Sequence, residues 1–139
     1  MDSTELRARL ERADKSKDFY DESESIAREL RASGAGIEAV RVILRFMEDH
    51  PTTEYGQPGP LVHFVETLYE HGYEAELLAS LSRRPVAHTV WMLNRIINDI
   101  EDLAGLERYR DAMRAAGQHP QTDEETRQNV EIFLEDDSE

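Results

Sequence analysis

The sequence contains no cysteine. That single absence excludes a disulfide framework, a thiolate zinc site and a thiol nucleophile, and it fits a reducing compartment. No apolar run approaches the roughly 18 residues of a membrane span. The first residues, Met1-Asp2-Ser3-Thr4-Glu5, lack the basic and then apolar segments of a secretory leader. A cytoplasmic protein that does not enter the membrane is therefore expected. Strand signals are equally scarce, because no alternating β-branched run is bounded by hairpin turns. Positive charge is in short supply too: 30 acids face 16 Lys and Arg, for a net charge of −14. Phosphate binding needs a basic footprint, so the charge argues against nucleic acid, and no nucleic-acid partner is expected. An anionic membrane surface is disfavoured for the same reason. A basic protein partner is favoured, since complementary fields speed encounter, although an acidic surface also serves plain solubility. The charge is uneven, with twelve acids against four bases over residues 101–139.

What is present is helical periodicity. At 139 residues, 39% of them hydrophobic, the chain is long enough to bury a core as one domain without metal or disulfide support. Residues 3–17 read as a helix capped by Ser3 or Thr4, with Leu6 and Leu10 inward, and 22–32 as a second around Ile26, Ala27 and Leu30. The stripe strengthens over 37–49, where Ile37, Val40, Leu44 and Met47 recur, widened by Ile43. Further helices are expected over 60–70, 74–82, 86–102, 105–116 and 121–134. Pro60 suits a first turn, Gly117 closes the helix before it, and Thr122 with Glu125 stands at capping-box spacing. The expected architecture is all-α: a compact α-solenoid of HEAT-like helical hairpins, with a closed helical bundle as the alternative. In it, 1–33 form an N-terminal helical pair, 37–134 three stacked hairpins (37–49 with 60–70, 74–82 with 86–102, 105–116 with 121–134), and 135–139 an acidic tail.

Catalytic chemistry finds little footing. No histidine pair has the spacing with an intervening glutamate that a helical zinc protease needs. His50 and His119 precede proline and are read as turn-shaping residues. His63, Glu66 and Glu70 share one face of the 60–70 helix and could supply metal ligands, but matching sets on other helices are missing. There is no Gly-x-Ser-x-Gly elbow. Gly56-Gln57-Pro58-Gly59-Pro60 lacks the Lys-Ser/Thr ending of a phosphate loop. The expectation is a non-enzyme with no catalytic residue, cofactor or metal.

Two features remain. One is the loop and helix from Tyr55 to Glu66, either a rigid binding loop or a stiff connector. The other is the helix over 86–102. Val86, Val90, Leu93, Ile97 and Ile100 form its buried stripe, and His88, Trp91, Asn94, Arg95 and Asn98 occupy its other turns. Trp91 is the single tryptophan, and Trp and Arg are enriched at interface hot spots. Trp91 serves equally well as an internal wedge. If adjacent hairpins stack in parallel, the helices starting near 60 and 86 lie side by side.

The segments GQPGPLVHFVETLYEHGYEAELLASLSRRP and TVWMLNRIIN, within about Val40 to Asn98, resemble small α-helical immunity proteins of bacterial polymorphic toxin systems. The resemblance is carried by Pro58-Gly59-Pro60-Leu61-Val62-His63, Glu66 and Trp91-Met92-Leu93-Asn94-Arg95. It implies a cytoplasmic inhibitor that binds a cognate toxin domain by occlusion, without a cofactor. The expected partner-binding residues are Trp91 and Arg95 as anchors, His63, Glu66, Glu70 and Asn98 around them, and Asp99 and Asp102 to steer a basic toxin. A helical-repeat adaptor or regulator for another protein is the alternative, and an enzyme or metal protein built on His63, Glu66 and Glu70 a third reading.

Overall fold

The computed structural model describes residues 1–137, and among them the chain forms eight helices and no strand. In order these are α1 (Ser3–Asp14), α2 (Phe19–Ala32), α3 (Ile37–Asp49), α4 (Pro60–Glu66), α5 (Tyr73–Arg83), α6 (Ala87–Asp99), α7 (Leu103–Gln118) and α8 (Glu124–Asp137). The class is all-α, as the punctuation predicts. The chain divides into two packed units, Met1–Glu76 and a second beginning at Leu77, with the boundary inside α5. Of the expected acidic tail, residues 138 and 139 lie outside the described residues, while 135–137 extend α8.

In the first unit α1 packs on α2 and α3, and α2 packs on α4. The N-cap of α1 is Asp2, not Ser3 or Thr4: its carboxylate accepts the Glu5 N–H at 2.8 Å. The helix stops at Asp14, short of residue 17, because the Ser16 hydroxyl and N–H both turn back onto the Ala13 carbonyl. α2 begins earlier than its polar sequence suggests. Phe19 stacks on Phe46 with centroids 6.2 Å apart and meets Tyr55 edge-on at 5.7 Å, so an aromatic cluster stabilises its first turn. α3 buries seven of its residues, and Val40, Ile43, Leu44, Phe46 and Met47 are all fully enclosed. Each such side chain contributes roughly 1.5–3 kcal/mol of transfer free energy. α3 runs parallel to α1. Met1, Asp2 and Ser3 face Gly36 and Ala39 across a cavity of about 410 Å³ at one end, and Glu11 and Asp14 meet His50 at the other. α3 and α4 thus make their main contacts with the N-terminal pair, which the ten-residue connector between them, 50–59, makes possible.

That connector is a packed element and not an open binding loop. Tyr55, Pro58, Gly59 and Pro60 are buried, and the Tyr55 hydroxyl donates to the His50 carbonyl at 2.8 Å. Gly59 has φ +96°, and a Cβ there would fall 1.7 Å from the Tyr55 carbonyl oxygen. Only glycine fits.

In the second unit α6, α7 and α8 contact one another pairwise. α7 runs through Gly117 to Gln118. Gly117 does not close the helix; it brings Val130 of α8 close, since a Cβ would lie 2.9 Å from a Val130 methyl. The turn into α8 differs from the expected capping box. Thr122 donates its hydroxyl to the Ala116 carbonyl at 2.6 Å, and the cap passes to Asp123, whose Oδ1 accepts the Thr126 N–H at 2.8 Å. The hydrogen bond from the Thr126 backbone N–H holds the Asp123 carboxyl below the usual carboxylate range. His119 does shape this turn. Its Nδ1 accepts the Gln121 N–H at 3.1 Å and its Nε2 lies 2.9 Å from the Ser82 carbonyl, a pairing that suits the neutral ring protonated at Nε2.

Two outcomes check this description. Gly59→Ala should lower stability by about 2 kcal/mol or more, read as the urea midpoint. Asp123→Ala should cost about 1 kcal/mol, whereas Glu125→Ala should change it by less than about 0.5 kcal/mol. Because the folded Asp123 carboxyl is depressed, its contribution is present above about pH 4 and lost as pH falls through the depressed value. Thermal melts at pH 7 and pH 3 should therefore show a larger Asp123→Ala difference at the higher pH than at the lower.

Candidate protein-binding surface

The candidate surface is built on α6. Pro85 and Val86 lead into it, and Thr89 at the third helical position accepts the Val86 N–H at 3.2 Å, supplying the cap that Val86 lacks. The expected stripe is buried at Val86, Val90, Leu93 and Ile97. Thr89, Met92 and Ile96 are buried beside it, so the inner face is wider than one stripe. Ile100 is half-buried and extended, and the helix ends at Asp99 rather than 102. The cause is Asp102, whose carboxylate accepts the Gly105 N–H at 3.0 Å as the N-cap of α7.

What remains of α6 is a narrow outer strip. His88, Trp91, Asn94 and Arg95 are half-buried, and Asn98 and Asp99 are exposed. Trp91 is neither core nor a free side chain. The His88 ring meets it edge-on with centroids 5.3 Å apart, and the Arg95 guanidinium carbon lies 6.0 Å from its ring centroid. Its two neighbours are three residues before and four after it, so the helix itself braces the indole. A cation–π contact at such a site contributes about 0.5–1 kcal/mol. More important for recognition, a braced ring loses little rotamer freedom on meeting a partner.

Beyond Asn98 the chain is exposed at Asp99, the last residue of α6, at Glu101 and Asp102 of the connector, and at Leu103 and Ala104, which begin α7. Leu103 is 77% exposed, between the acidic connector and the first turn of α7. It is absent from the sequence-based set. Periodicity with Leu106 and Tyr109 places it on an inward stripe, yet as the first residue of α7 it stays exposed. Asp102 has a structural duty as a cap, which leaves Asp99 and Glu101 as the free-standing acids of this knob.

His63, Glu66 and Glu70 belong to the first unit, and α6 to the second. The expected helix over 60–70 stops at Glu66. The Thr67 hydroxyl donates to the Phe64 carbonyl at 2.6 Å, and the N–H groups of Thr67, Leu68 and Tyr69 bond three residues back instead of four. Glu70 then adopts φ +67°, with its N–H held 3.0 Å from both oxygens of the Glu74 carboxylate. The three side chains accordingly do not share a helical face. His63 is exposed on α4, Glu66 is half-buried at its end, and Glu70 stands in the turn beyond. Among the described residues no group of three or more His, Asp and Glu is placed to hold a metal ion, and no helix is long and apolar enough to cross a membrane.

No family model, curated protein or solved structure matches the chain.

As the single tryptophan, Trp91 reports on this surface directly. Its fluorescence should be quenched by acrylamide to an intermediate degree, and Arg95→Ala should increase the quenching. An indole as inaccessible as a core residue would contradict the half-exposed, braced ring.

Proposed function

We propose that this protein is a non-catalytic, cytoplasmic inhibitor that binds a bacterial toxin domain and neutralises it by covering its active site. One observation carries the reading: a half-exposed tryptophan braced by His88 and Arg95, in a unit whose next helix opens, after an acidic connector, with a leucine that is 77% exposed. Aromatic and arginine anchors with a charged rim are what an interface hot spot requires. The resemblance of the Pro58–His63 and Trp91–Arg95 segments to small helical immunity proteins supplies the partner class. The net charge of −14 supports a basic toxin surface, such as that of a nuclease. In this reading Trp91 and Arg95 anchor the complex, while Asn98, Asp99 and Leu103 extend the contact and the acids speed encounter.

The test is co-expression with the toxin domain encoded beside it. The protein should rescue growth and co-purify with the toxin. Trp91→Ala should weaken the complex about thirtyfold, equivalent to about 2 kcal/mol, with a small change in melting temperature. Asp99→Asn should slow association and reduce its salt dependence. Absence of both rescue and complex would refute the inhibitor reading. A complex that leaves the toxin active would assign the protein to the adaptor class instead.

A further inference from the structure

The turn between α4 and α5 holds a residue in a backbone conformation that suits it poorly. Glu70 has φ +67°, whereas the other left-handed positions among the described residues, Gly34, Gly56, Gly59 and Gly72, are all glycine. A side chain in that region crowds its own backbone, and short amide or acid side chains offset part of the cost by bonding locally. Where a helix ends in this conformation, glycine is the usual residue.

The turn is made without the Glu70 side chain. The His71 N–H bonds the Leu68 carbonyl at 2.8 Å, and the Tyr73 N–H reaches the same carbonyl at 3.4 Å. The Glu74 carboxylate takes the Glu70 N–H at 3.0 Å from each of its oxygens. Every one of these bonds survives with glycine at position 70, and the strain does not. The Glu70 carboxylate itself is exposed and, among the described residues, has no hydrogen-bond or ion-pair partner. Strain retained where the side chain does nothing for the fold points to a use outside the fold.

The surroundings say what that carboxylate takes. Ionised, it only accepts hydrogen bonds. The sequence has no lysine or arginine from residue 46 through 82, and Arg41, which reaches α5 from α3, is engaged by Glu76 at 2.9 Å. The Glu74 carboxylate adds a second negative charge behind the Glu70 N–H. A metal ion does not fit, since no group of three or more His, Asp and Glu is placed to hold one among the described residues. A guanidinium or ammonium fits, because it brings charge-assisted donors to a carboxylate whose backbone is already fixed.

We propose that Glu70 is a binding residue, kept in a strained turn to present its carboxylate to an arginine or lysine side chain of a partner protein. With the basic toxin of the inhibitor reading as that partner, a choice that rests on that reading, Glu70 adds a contact on the first unit to those made by α6.

Stability and binding should then move in opposite directions. Glu70→Gly relaxes the turn and should raise the melting temperature by about 2 °C or more, after allowance for the looser unfolded chain. Glu70→Gln keeps the strain and should leave it within about 1 °C. Both variants should bind the toxin domain encoded beside the gene about tenfold more weakly, through loss of a charge-assisted pair. A glycine variant no more stable than wild type would overturn the proposal, and so would variants that bind as tightly as wild type. Wild-type protein that does not bind the toxin refutes the inhibitor reading instead, and a hexa-arginine peptide then decides the role of Glu70. Titrated into the full chain, it should move the NMR signals of the Glu70, His71 and Gly72 amides at least about twice as far in wild type as in Glu70→Gln. Equal movements in the two proteins would overturn the contact whatever the partner.

Discussion

The first unit is tied together at the end of α3, where Phe46 and His50 collect contacts from three directions. Phe46 stacks against Phe19 of α2, carries the His50 ring on its face, and has the Arg7 guanidinium of α1 5.5 Å from its centroid. Tyr55 closes the cluster edge-on and hydrogen-bonds back to the His50 carbonyl. α1 is too short and too polar to be stable alone, since isolated helices of this length are marginal in water. Its register against α3 is set by this cluster at one end and by the packing of Leu6 and Leu10 along its length. The start of α2, the position of the 50–59 connector and the burial of Gly59 all depend on it.

The second unit is organised differently. Its stability rests on a broad apolar face of α6, with seven buried residues from Val86 to Ile97, against which α7 and α8 pack. Because so much of α6 is enclosed, only a strip remains for recognition. On that strip the helical spacing of three and four residues stacks His88, Trp91 and Arg95 on one another. One helix thus supplies both the core of its unit and a pre-ordered surface. The net negative charge acts over the whole chain, but at this surface it is concentrated in Asp99 and Glu101, while Asp102 is committed to capping α7.

Much of this was legible in residue order. The apolar stripe of α6, the enclosed face of α3 and the helix start at Pro60 follow from period and from the backbone limits of proline. The misplaced caps have a common cause. Asp2, Asp102 and Asp123 each took the capping position from a neighbour or from a longer helix, because a carboxylate oxygen reached a free N–H within one turn. The face shared by His63, Glu66 and Glu70 failed for a related reason. The Thr67 hydroxyl competes for a backbone carbonyl and tightens the chain just where the periodic pattern continues. Leu103 escaped notice because periodicity reports direction around a helix axis and not whether a partner lies opposite.

By itself the sequence determined that this protein is helical, that it cannot use thiol chemistry, that it is strongly acidic, and which residues of α6 face inward. Those are properties of composition and of local period, which need no knowledge of what a helix packs against. Only the tertiary structure decided that α3 and α4 pack chiefly on the N-terminal pair, that Trp91 is half-exposed and braced, and that Leu103 stands free. It alone brought His50 between Glu11 and Asp14, 39 and 36 positions away in the chain. A proline after a histidine signals a turn. Which charges that turn meets depends on long-range packing, and no local pattern encodes it.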